Sequence, residues 1–93
     1  MISEWKKILG LIENRNLSLH GMLHNVTDTK LVRTIGNNGE VIRGYLQLFF
    51  PVGQDFLREQ CERKKNRSLI EGMSEAVLGY AVTVETKITS ESP

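Results

Sequence analysis

Apolar residues recur through the first 24 positions with the period of a helix. Trp5, Ile8, Leu9 and Ile12 fall at i, i+3, i+4 and i+7, so they share one stripe, with Lys6, Lys7 and Glu13 mostly outside it. Ser3 is placed to cap this helix, and Asn14-Arg15-Asn16 ends it. Gly10 weakens it by up to about 1 kcal/mol relative to alanine, so packing against the rest of the chain must hold it. Trp5 sits on the apolar stripe and reads as a core anchor rather than a stacking side chain for a ligand. A second, shorter helix fits Ser18–His24 with Leu19, Met22 and Leu23 facing in, and the two form a helical hairpin over residues 1–24.

From Val26 the period changes to two. Leu31, Arg33 and Ile35 alternate with Lys30, Val32 and Thr34, the pattern of a strand. Gly36-Asn37-Asn38-Gly39 is a turn, because glycine and asparagine reach positive φ at the least steric cost. The return strand, Val41–Phe50, places Ile42, Leu46, Leu48 and Phe50 on one face with Gly44 among them. Val41, Arg43, Tyr45, Gln47 and Phe49 lie on the other. A hairpin over residues 26–50 follows. The same Gly-Asn-Asn-Gly matches the G-x-x-G loop with which KH domains clamp a nucleic-acid backbone. Here it joins two strands and is followed by Glu40, so it reads as a hairpin turn.

After the Pro51-Val52-Gly53 corner, a helical segment opens near Gln54 or Asp55 and runs to Leu78. Phe56, Leu57, Gln60 and Cys61 make its first inner side, and Leu69, Ile70, Met73, Val77 and Leu78 resume the stripe. The polar run Glu62–Arg67 between them reads as one helix, continuous or kinked, extending past the core; the alternative is a break with Asn66 or Ser68 as the new cap. Gly79 suits the left-handed position after a helix, with Tyr80 supplying a hydrophobic contact. Val82, Val84, Thr86 and Ile88 then alternate in a last strand over residues 80–88, and Thr89–Pro93 reads as a frayed polar tail. The order is ααββαβ: an α+β domain spanning 1–93, its last strand returned parallel to the one before by a right-handed crossover, with helices packed on one face of a three-stranded sheet.

Size and charge narrow the functions. Ninety-three residues support one core. A net charge of +1 gives no whole-molecule attraction to nucleic acid or an anionic membrane. Cys61 is the single cysteine, which excludes an internal disulfide and points to a reducing, cytoplasmic setting. No apolar run approaches membrane-spanning length.

Candidate chemistry is sparse. His20 and His24 share a helix face, but the zinc-peptidase spacing needs glutamate where Gly21 stands, so no metal is expected. Glu71 with Glu75, and Glu59 with Glu62, intermix with basic residues and read as solvated charge rather than an acid–base pair. Cys61 on an inward stripe reads as a small core residue, with no histidine placed beside it to activate a nucleophile. No phosphate-binding loop is present, and neither a catalytic residue nor a cofactor is expected. The sharpest surface feature is the cluster Arg58, Arg63, Lys64, Lys65 and Arg67, either a salt-bridged solvated face or a patch for phosphate or an acidic peptide. Tyr45 and Phe49 lie on the other face of the strand; if that face is open they are candidates for the centre of a protein interface, and the alternative is that covering helices bury them.

Several of these residues occur together in a known pattern. Trp5 with Ile8-Leu9 opens an apolar helix, and Leu19-His20-Gly21-Met22-Leu23 makes a short second one. A strand ending Leu46-Gln47-Leu48-Phe49-Phe50 follows, then Asn66-Arg67-x-Leu69-Ile70-Glu71 and Leu78-Gly79-x-x-Val82-x-Val84. Over nearly the whole chain this resembles the small C-terminal domain of the bacterial DNA polymerase III gamma/tau subunit. It is also similar to the N-terminal domain of the chromosomal replication initiator DnaA, which has a related KH-like arrangement. The initiator domain usually carries an aromatic-Trp pair in its second helix and Asn after the strand-end proline, where this sequence has Gly21-Met22-Leu23 and Val52. The gamma/tau resemblance implies a KH-like, non-catalytic interaction module of the clamp-loader subunit, detached from its ATPase module and contacting the polymerase catalytic subunit or other replisome proteins. The initiator resemblance implies self-association and helicase recruitment. Direct nucleic-acid binding through the basic cluster is a third expectation, resting on charge alone.

Overall fold

The computed structural model describes residues 1–89. Two helices, α1 (Trp5–Glu13) and α2 (Leu17–Leu23), lead into strands β1 (Asp28–Ile35) and β2 (Val41–Phe50). Helices α3 (Asp55–Glu62) and α4 (Lys64–Leu78) follow, and β3 (Ala81–Ile88) closes the fold. The domain is α+β, with a three-stranded mixed sheet in the order β1-β2-β3. β1 pairs antiparallel to β2, with Leu31 opposite Leu46. β3 pairs parallel to β2, with Leu46 opposite Val84.

One apolar core lies between the helices and one face of the sheet. Leu46, Leu48 and Phe50 alternate inward from β2 and meet Val82 and Val84 of β3, Ile8 and Ile12 of α1, Leu19 and Leu23 of α2, Cys61 of α3 and Ile70 of α4. Each fully buried large aliphatic or aromatic side chain contributes about 1.5–3 kcal/mol of transfer free energy. Trp5, 3% exposed, is the core anchor its stripe implies. The Asn16 side chain accepts from the Leu19 amide at 2.9 Å and fixes the start of α2. Ser3 does not cap α1; the cap position belongs to Glu4, and the Ser3 hydroxyl donates to the Glu4 carboxylate instead.

The hairpin turn and the stop at Gly79 form where the sequence places them. Gly39 has φ 84 and Gly79 has φ 85, both in the left-handed region. Gly44 answers to a different constraint. A Cβ there would lie 2.7 Å from Cε1 of Tyr80, whose ring covers that point of β2.

Three expectations need correction. The segment from Asp55 to Leu78 is two helices, not one: Arg63 takes an extended conformation (φ −60, ψ 138) between them. Asn66 does not cap the new helix but turns back, donating to the Gln60 carbonyl at 2.8 Å and satisfying the end of α3. Phe56 is 67% exposed, because Leu57 and Cys61, one turn apart, define the inner stripe and Phe56 is rotated about 100° from it. Ile42, expected on the buried face, is 56% exposed, because the hairpin tip runs past the helices that cover that face. Of the polar tail, the Thr89 amide donates to the Phe50 carbonyl at 2.7 Å; Ser90–Pro93 lie outside the described residues. No helix among the described residues is long and apolar enough to cross a membrane.

Candidate functional site

The face of the sheet turned away from the helices is built in cross-strand rows. Lys30, Gln47 and Glu85 form one, Val32, Tyr45 and Thr83 the next, and Thr34, Arg43 and Ala81 a third. Asp28, Phe49 and Lys87 form the row at the opposite end. Tyr45 and Phe49 are half-buried by their neighbours alone, and Val32 is 54% exposed. Lys30 carries its ammonium 5.3 Å from the centre of the Phe49 ring, a cation–π contact. Arg43 donates to the Thr83 hydroxyl at 2.8 Å, which fixes its guanidinium across the sheet. An open groove of about 610 Å³ runs past Asp28, Lys30, Phe49 and Lys87. The Met1 ammonium, 2.9 Å from Asp28, holds that carboxyl below its ordinary range.

The basic cluster is divided by the fold. Arg63, Lys64 and Lys65 are exposed at the α3–α4 junction, while Arg58 is half-buried. Arg67 is paired with two glutamates, 3.3 Å from Glu71 and 3.6 Å from Glu62, although its side chain stays 40% exposed. Its charge is committed to those ion pairs, unlike that of its neighbours. The candidate residues therefore form two groups, Arg63, Lys64 and Lys65 at the junction and Tyr45 with Phe49 on the sheet.

Those glutamates belong to a network that the sequence did not disclose. Glu75 accepts from the Val82 amide at 3.1 Å, Glu71 from the Val84 amide at 2.8 Å, and Glu62 from the Thr86 amide at 3.2 Å and its hydroxyl at 2.6 Å. These amides point away from β2, so three carboxylates occupy the edge where a further strand would pair. Two of them, Glu71 and Glu75, are one helical turn apart, a rise of about 6 Å. Alternate amides of a strand repeat at about 6.6 Å. The two ladders match, and the expected solvated charges are instead a seal along β3.

Cys61 lies in the core, and the two histidines lie against each other at the surface. The Cys61 thiol is fully buried, and burial, helped by the nearby Glu62 charge, pushes its pKa up to about 11. It is therefore a protonated thiol at neutral pH, the opposite of an activated nucleophile. The His20 and His24 rings meet edge to face with centroids 4.5 Å apart, and His20 Nδ1 lies 3.8 Å from Glu13. Among the described residues no group of three or more metal-ligating side chains converges.

The molecule so described is an α+β domain with a helix-covered face, an open face and two unlike edges. No family model, curated protein or solved structure matches the chain.

Proposed function

We propose that this domain is a non-catalytic protein-interaction module of the DNA polymerase III gamma/tau type, docking a replisome protein on the open face of its sheet. The sequence resemblance supplies the class. The observation that supports a docking role is the uncovered group Tyr45, Phe49 and Val32, edged by Lys30 and Arg43. Protein interfaces favour such a composition, with aromatic and apolar side chains at the centre and arginine and polar groups around them. Tyr45 and Phe49 act as anchors that lose little rotamer freedom on binding, and Arg43 is already fixed by Thr83.

The test is binding of the domain to the purified replicative polymerase catalytic subunit at low and high salt. Saturable binding that survives salt and weakens about tenfold or more in Tyr45→Ala/Phe49→Ala supports this reading. Binding to the replicative helicase in place of the polymerase moves the domain to the initiator type, and binding to neither overturns both. The exposed trio Arg63, Lys64 and Lys65 favours a second reading, contact with nucleic-acid phosphates. Three phosphate contacts give a slope of about −2 for a single strand and about −3 for a duplex in log affinity against log salt, and charge reversal at Lys64 and Lys65 abolishes it.

A further inference from the structure

The two outer strands of the sheet end in opposite ways. The β3 edge is occupied by the carboxylates of Glu62, Glu71 and Glu75. On β1, Met1 and Ile2 reach only as far as Asp28 and Thr29, where the Ile2 amide donates to the Thr29 hydroxyl at 2.8 Å. Lys30, Val32, Arg33, Thr34 and Ile35 are exposed. Among the described residues, no hydrogen bond from outside the β1–β2 pair reaches the backbone between Lys30 and Thr34. A free row of backbone donors and acceptors is a template for another strand.

Charge selects the occupant. Lys30 points to the open face and Arg33, three residues on, to the helix face, so the edge is cationic on both sides. Among the described residues no carboxylate pairs with either. A second copy of the chain pairing there would crowd four such cations into one seam. We propose that β1 receives an extended acidic segment of a partner protein as a fourth, antiparallel strand. This rests on the reading of the domain as an interaction module and names the chemistry of what it takes. Residues directly opposite in an antiparallel pair share a face. The segment that fits carries a carboxylate opposite Arg33, an apolar side chain opposite Val32, and a second carboxylate opposite Lys30. Its pattern is acidic–apolar–x–acidic. Backbone hydrogen bonds supply the affinity and these side chains the selectivity.

The experiment uses the full chain and the capped octapeptide Thr-Val-Glu-Val-Thr-Glu-Val-Thr, followed through backbone amide shifts and hydrogen exchange. Saturable binding is expected, with amide protection rising about tenfold or more within residues 30–34 and unchanged on β3. Methylating alternate peptide nitrogens, which removes backbone donors and keeps the charge, is expected to weaken binding about tenfold or more. Replacing both glutamates by lysine is expected to do the same, and the exposed double variant Lys30→Glu/Arg33→Glu to prefer the lysine peptide. Equal binding of the methylated peptide, shifts confined to another element, no binding at millimolar peptide, or a free chain already dimeric through β1 would overturn the proposal. Polymerase binding that depends on Tyr45 and Phe49 but ignores Lys30→Glu/Arg33→Glu sinks the strand proposal alone. Octapeptide binding without polymerase binding sinks the polymerase reading alone.

Discussion

The edges of this sheet solve one problem in two ways. Along β3, alternate amides find glutamate oxygens at 2.8–3.2 Å, carried by helices that run against the strand. Along β1, the backbone from Lys30 onward meets solvent, and the side chains around it are cations and β-branched residues. A strand edge need not be covered by another strand or hidden by a loop; a helix whose glutamates repeat every turn can close it. The cost falls on the glutamates, which are ordered and partly desolvated, and Arg67 offsets it by bridging Glu62 and Glu71.

The largest test of this contrast removes the seal. Glu62→Ala/Glu71→Ala leaves the Val84 and Thr86 amides without their acceptors and Arg67 without its partners. Hydrogen bonds to charged groups contribute about 1.5–3 kcal/mol each. With these carboxylates a quarter to a third exposed, the low end applies, and denaturant unfolding should show a loss of about 3 kcal/mol.

A second test uses Cys61, buried beside the seal. Its pKa is raised from 9.0 to about 11 in the folded domain, so its neutral form is favoured there. The associated stability is complete below the unfolded thiol's pKa and is lost as pH rises through the folded value. Between pH 9 and pH 11 the parent should lose up to about 1.4 kcal/mol per pH unit relative to Cys61→Ala, whose curve lacks this slope. Glu62→Gln removes a neighbouring negative charge, lowers the folded pKa of Cys61 and narrows the window.

Glu75→Ala should cost less, about 0.5–1 kcal/mol, because Glu75 is exposed and its bond to Val82 competes with water. On the open edge, Arg33→Ala and Val32→Thr should change stability by no more than about 0.5 kcal/mol, since neither residue is buried. A loss on β1 as large as that on β3 would erase the distinction between the edges.

What the sequence disclosed follows from which forces are local. The span of β2 was readable from its period of two, and the turn and the stop at Gly79 from backbone sterics that only glycine relieves. The class of fold followed, because a hairpin, a helical crossover and one more strand admit few arrangements. The break at Arg63 was hidden because a polar run looks the same whether a helix continues through it or not; the deciding bond, Asn66 to Gln60, spans it. The seal was hidden for a related reason. Glu71 and Glu75, four apart among charges, have one spacing for a solvated face and for a ladder against a strand. Only tertiary placement separates the two, although a helical turn's match to two strand residues is a signal to seek when such a helix precedes an edge strand. Tyr45 and Phe49 were legible as open-face residues from alternation, whereas the withdrawal of Arg67 from its basic cluster was not.

The sealed edge also sets a valence. A sheet open on both sides can add strands without limit, which is how edge pairing becomes a fibre. Here β3 offers an arriving strand only carboxylates, so the sheet can be extended only beyond β1. Growth is confined to one side.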